Sequence, residues 1–260
     1  MYEAYRDFAV RLAREVGAIH LSYFRGADLG IRTKSNISDL VTRADRESEE
    51  HIVRAVAADY PTYAVLGEEG GDRGAVGRDH RWGVGPLDGT TTFGQGLPVL
   101  AVSIALQYRG ETIVGVVYAP YLKELFTAVK GDGAWLAVGD AAPQRIAVSP
   151  KRDLAAAVVA TGFPYDKCDN PDNNAENVAR ILPHVRDLRR MGAAAYDLCC
   201  VAAGMLDGFW ELALHEWDVC AGGLIIREAG GEVAALRADR GVSIVAGNET
   251  IIREIGRYVH

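Results

Sequence analysis

Residues 81–98 read RWGVGPLDGTTTFGQGLP, and the step from Val84 to Gly89 decides how the whole chain is organised. Trp82, Gly83 and Val84 have the apolar character of a buried strand end. Gly89 breaks that strand, and Thr90, Thr91 and Thr92 are residues that cap a following turn or helix. Asp88 stands at the junction, beside backbone N–H groups that have no helical partner and suit a phosphate. An acid for a cation next to free amides for an anion is the composition of a metal-assisted phosphate site.

Acids recur at similar junctions elsewhere. Glu68 and Glu69 follow the apolar run 63–66; they read either as a solvated turn or as ligands on a strand end, where the backbone is rigid and the tip free. Thr42-Arg43-Ala44-Asp45 has the form of a capping box, with Thr42 as cap and Asp45 reaching back. Trp217-Asp218 opens the stretch WDVCAGGLIIREAGG, residues 217–231. Asp at a helix start accepts orphan N–H bonds and complements the dipole, and Gly230-Gly231 closes the helix.

GEE at 67–69, PLDGTT at 86–91 and the 217–231 stretch, in that order, resemble the inositol monophosphatase family over nearly the whole chain. These are Mg²⁺-dependent phosphatases of inositol and sugar monophosphates, related to fructose-1,6-bisphosphatases. The resemblance implies that Glu68, the Leu87 carbonyl, Asp88 and Asp218 hold metal. It implies that Asp45 pairs with Thr90 to activate the attacking water, with Glu68 completing the catalytic set. Gly89, Thr90 and Thr91 would meet the phosphate, while Gly192, Ala194 and Glu211 would meet the alcohol. Taken alone, Glu211 after two aromatics reads as a surface charge, and Lys34 as an exposed loop lysine or one that approaches metal or phosphate. One position departs: the family pattern D-P-[IL]-D-G-T begins with an Asp that bridges two metal ions, and here Gly85 stands in that place.

The resemblance also implies an α+β fold, a layered αβαβα sandwich with a mostly antiparallel first sheet, a mixed second sheet, and the site between them. Helices are expected at 3–25, from 42, at 173–182, 191–204 and 217–229, and from 248. Strands are expected at 31–34, 63–66, 97–106, 112–118, 124–129, 134–136, 157–161, 185–189, 208–211, 232–236 and 242–246. Residues 70–81 read as a glycine-rich polar loop. A seam at 139–143 divides an N-terminal half, 1–140, carrying GEE and PLDGTT, from a C-terminal half, 141–260, carrying Glu211 and the Trp217-Asp218 motif.

Composition sets the outer bounds. With 49% apolar and 24% charged residues, the chain is that of an ordinary globular protein. A net charge of −7 argues against broad nucleic-acid or anionic-membrane binding, so the expected partner is a small phosphorylated metabolite, with no nucleic acid and no membrane. Family members are commonly dimers, which carries over an expectation of a homodimer. Cys168, Cys199, Cys200 and Cys220 match no zinc spacing and read as reduced thiols, and the charged N-terminus reads as no signal peptide. The expected place is the cytoplasm.

Gly85 weakens the expected chemistry, because two ions about 3.5–4 Å apart need bridging negative charge. The function expected is Mg²⁺-dependent hydrolysis of an inositol or sugar monophosphate, impaired at the second metal. The alternatives are non-hydrolytic chemistry on a phosphorylated metabolite, or binding of a phosphorylated ligand with little turnover.

Overall fold

The strand Ala101–Tyr108 is buried at every position but its last, and its neighbour Glu111–Ala119 is buried through most of its length. Neither shows the in-out alternation of a sheet wetted on one face, so layers must cover both faces. The structure, a computed structural model, describes residues 2–73 and 79–260. Its first half runs α1 (Glu3–Tyr23), β1 (Arg32–Thr33), β2 (Leu40–Val41), α2 (Arg43–Asp59), β3 (Ala64–Gly67), β4 (Gly71–Arg73), β5 (His80–Asp88) and α3 (Thr90–Gly94). There follow β6 (Ala101–Tyr108), β7 (Glu111–Ala119), β8 (Glu124–Val129), β9 (Gly133–Val138) and β10 (Gln144–Arg145). The second half has β11 (Val158–Thr161), α4 (Ala175–Ile181), β12 (Asp187–Arg189), α5 (Ala194–Ala202) and β13 (Gly208–Leu214). It closes with α6 (Glu216–Glu228), β14 (Glu232–Arg237), β15 (Val242–Gly247) and α7 (Glu249–Ile255).

The eight-stranded sheet has the order β10-β9-β8-β7-β6-β5-β3-β4, and every pair is antiparallel except β3 with β5. The second sheet, β12-β11-β13-β15-β14, is mixed: β11 runs parallel to both neighbours, and β15 antiparallel to both of its own. Phe8, Leu12 and Val16 of α1 and Ile52 and Val56 of α2 pack on one face of the large sheet. Its other face meets α5 and α6, whose Leu198, Val201, Leu224 and Ile225 also pack against Phe209 and Ile244 of the second sheet. Ile181, Ile251 and Ile255 cover that sheet's outer face. The layers are therefore αβαβα, as expected.

Several boundaries differ from those read in the sequence. The strand through Trp82 continues to Asp88, with a shift of register between Gly85 and Asp88; Pro86 lacks the N–H that regular pairing needs, so the ladder bulges instead of ending. The next strand begins at Ala101, because residues 95–97 still donate hydrogen bonds back to Thr91, Phe93 and Thr92. The large sheet reaches Arg145, past the boundary expected after residue 140, because β10 pairs with β9. Gly71–Arg73 form an edge strand on β3, and the remainder of the expected polar loop, 74–78, lies outside the described residues. No helix among the described residues is long and apolar enough to cross a membrane.

Candidate active site

The bulge in β5 swings the chain out of the sheet at Leu87 and Asp88. His20, buried on α1, fixes this turn: its Nε2 lies 2.8 Å from the Pro86 carbonyl oxygen. Gly89 then takes the left-handed conformation, φ 89°, and becomes the N-cap of α3, a backbone state that side-chain-bearing residues avoid. Thr90 is thereby set against α2. Its Oγ1 is 2.9 Å from Asp45 Oδ1 and 3.1 Å from the Leu87 carbonyl oxygen. Asp45 is buried in the capping box the sequence predicts, with the Thr42 amide donating to its Oδ2 at 2.7 Å and Thr42 Oγ1 at 2.5 Å. Asp45 thus caps the helix and contacts Thr90 in one geometry.

Asp88 points at the start of α5. Its Oδ2 accepts from the Tyr196 amide at 3.2 Å, and the nearby Ala194 and Ala195 amides also favour its charged form. A helix N-terminus therefore holds this carboxylate. Asp218 sits in the first turn of α6 and accepts from the His215 amide at 2.8 Å. Glu211 lies on β13 just before a register shift to Leu214, and its carboxylate rests against Gly162, where an added Cβ would fall 2.1 Å from Oε1. Asp88, Gly89, Thr90, Thr91, Gly192, Ala194, Glu211 and Asp218 all line one open cleft.

Glu68 stands apart from that lining. Its Oε1 accepts from Lys34 Nζ at 2.8 Å, and the same ammonium pairs with Glu69. Burial works to depress the Lys34 pKa, but the two glutamates outweigh it and raise it. Among the described residues no three His, Cys, Asp or Glu side chains stand at metal-ligating spacing. The acids nonetheless act on one another. Burial lifts Glu68 to about 8, Asp88 to about 7 and Glu211 to about 8, and the Asp218 charge adds to each. Burial raises Asp218 and Asp45 as well. Buried carboxylates that repel one another are relieved by a cation, and an all-oxygen donor set suits a hard one such as Mg²⁺. A side chain fits at position 85: a Cβ there would lie 3.5 Å from Ser103 Cβ and 3.6 Å from the Trp217 carbonyl oxygen, ordinary contact distances.

Some contributors carry no motif. Glu49 accepts from the Glu69 amide at 2.7 Å and packs against Gly67, where a Cβ would come within 2.8 Å of its carboxylate, so it fixes the turn bearing Glu68. Gly162 makes room for Glu211. Arg190 and Asp197 also line the cleft; the one visible signal for Asp197 was a lone charge in an otherwise small and apolar helix.

The model of the "Inositol monophosphatase family" matches residues 1–255. The chain is 41% identical over 254 residues to "Nus factor SuhB" of Pasteurella multocida, covering 96% of this chain and 93% of that protein. The crystal structure of extragenic suppressor protein suhB from Bartonella henselae superimposes with a TM-score of 0.88 at 37% identity, covering 98% of each chain. The inositol monophosphatase from Anabaena (Nostoc) sp. PCC 7120 gives a TM-score of 0.85 at 32% identity, over 98% of this chain and 95% of that one. The Pasteurella relative is named a Nus factor, and that finding overturns the expectation that nucleic acid is excluded as a partner. That expectation rested on a net charge of −7, which opposes indiscriminate attraction to polyanions but leaves a specific contact through one patch open.

Proposed function

Since this chain belongs to the inositol monophosphatase family, we propose that it hydrolyses the phosphate monoester of a small polyol with Mg²⁺, at a rate limited by Gly85. The observation that carries this reading is the Asp45–Thr90 pair, 2.9 Å apart, immediately behind a cleft walled by Asp88, Asp218 and Glu211. Glu68, the Leu87 carbonyl, Asp88 and Asp218 would hold the metal. When bound, Mg²⁺ supplies neutralisation of phosphoryl charge and a lowered pKa for water. Thr90 Oγ1 and Asp45 orient the attacking water and take up its proton. The amides of Gly89 and Thr90, with Thr91 beside them, face the phosphoryl oxygens, and the N-terminal turn at Gly192 and Ala194 faces the alcohol together with Glu211. The P–O bond to the alcohol breaks, and that oxygen gains a proton as it leaves.

In this reading the N-terminal half supplies the metal and phosphate groups and the C-terminal half the alcohol contacts and Asp218. Four free cysteines agree with a reducing, cytoplasmic setting. The test is release of inorganic phosphate from a panel of inositol and sugar monophosphates with Mg²⁺, for the natural chain and for Gly85→Asp. Turnover that requires Mg²⁺ and rises by orders of magnitude in Gly85→Asp is expected; no phosphate from either form, across the panel, refutes it.

A second reading is favoured by Gly85 together with the name of the Pasteurella relative: a factor that works with the transcription machinery and binds phosphorylated ligands without needing turnover. Retention of RNA polymerase by the tagged chain, undiminished in Asp45→Asn, is its distinguishing result.

A further inference from the structure

Asp197 lies in the first turn of α5, is 1% exposed, and has an Oδ1 with no hydrogen-bond partner. It nevertheless lines the cleft, close enough to Glu211, Asp88 and Arg190 to feel the charge of each. Arg190 faces both Asp197 and Glu211 without coming within 4.0 Å ion-pairing distance of either. Its guanidinium is packed against Gly192, where a Cβ would fall 2.3 Å from Nη1. A buried carboxylate with an unmet oxygen destabilises a fold unless something supplies the missing partner. The packing does not supply one here, although α5 is otherwise built of small and apolar residues.

We propose that Asp197 is a specificity-determining residue that binds hydroxyl groups of the departing alcohol, so that the cleft selects polyols with neighbouring hydroxyls over simple alkyl esters. This deepens the phosphatase reading and rests on it. A hydroxyl both donates and accepts, so one can donate to Asp197 while an adjacent one donates to Glu211 and accepts from Arg190. An alkyl chain leaves the buried Asp197 oxygen unpaired, and that is the circumstance in which a site rejects the analogue most strongly. Asp88 and its amides face the phosphate end, so Asp197 extends recognition along α5, away from the reacting atoms.

Two non-hydrolysable probes separate the ends of the ligand: a phosphonate analogue of inositol 1-phosphate, with carbon in place of the bridging oxygen, and methylphosphonate, which has no hydroxyls. Affinities are measured by calorimetry with Mg²⁺ for the natural chain and Asp197→Ala, with Asp197→Leu in reserve should the alanine variant fold poorly. The natural chain should prefer the inositol phosphonate by at least a hundredfold. Asp197→Ala should lose at least tenfold for that probe and less than twofold for methylphosphonate. Its ligand-free Tm should hold or rise, since an unpartnered buried acid has been removed. An unchanged preference for the inositol phosphonate, or equal losses for both probes, overturns the assignment. If the natural chain binds neither probe with Mg²⁺, the phosphatase reading itself fails and this inference with it.

Discussion

Gly85→Asp tests the cation site most directly. The backbone at 85 pairs regularly with Ser103, and a Cβ would meet its neighbours at 3.5–3.8 Å, so the substitution introduces a carboxylate without a clash. A carboxylate about 4 Å from a dication is worth roughly 8 kcal/mol at an effective dielectric near 20. Desolvating it takes back most of that sum. A net hundredfold gain in Mg²⁺ affinity corresponds to about 2.7 kcal/mol. Under saturating Mg²⁺ that gain appears as added stability, a rise of about 5–10 °C in Tm for a chain of this size. Without metal the sign reverses, because a further acid joins Asp88, Asp218 and Glu68, which already oppose one another's ionisation. Melting both proteins across a Mg²⁺ titration, with EDTA as the zero point, should therefore show a lower starting Tm and a larger climb for Gly85→Asp. Climbs equal within 2 °C would refute the placing of position 85 beside the metal.

Gly162→Ala should push the Glu211 carboxylate off its seat, since the new methyl would lie 2.1 Å from Oε1; a misplacement of about 1 Å should lower kcat/KM for a polyol phosphate by about a hundredfold, with Mg²⁺-dependent melting unaltered. Asp45→Asn should reduce phosphate release by about 10²–10⁴-fold while the helix cap and the Mg²⁺ response in melting survive. His20 gives a pH dependence: burial holds its pKa at about 4, below the ordinary 6.5, so the unfolded chain takes the proton first. The contribution is complete above pH 6.5 and falls as pH drops toward 4, by about 2 kcal/mol at pH 5. Denaturation at pH 7.5 and 5 should show that loss in the natural chain and not in His20→Gln, which keeps a donor for the Pro86 carbonyl.

What the sequence disclosed was local. The capping box at Asp45, the glycine break at 89 and the Trp217-Asp218 helix start each involve groups a few residues apart, and the structure reproduces all three. Phe8, Leu12 and Val16, at helical spacing, form the buried face of α1. What escaped depends on residues far apart in the chain. Gly162 matters because Glu211 packs on it, Lys34 because Glu68 and Glu69 flank it, and His20 because the Pro86 carbonyl lies within reach. No periodicity encodes such meetings. The exclusion of nucleic acid failed for a different reason: net charge is a sum over the surface and does not describe any one patch.

Asp88 belongs to β5 of the large sheet, while the amides that grip it belong to α5 in the layer between the sheets, and Glu211 belongs to β13 of the other sheet. An occupant of the cleft is therefore a tie beam across the whole sandwich. Loading it should slow amide hydrogen exchange in β5, α5 and β13 together, although β5 lies far from the other two in sequence.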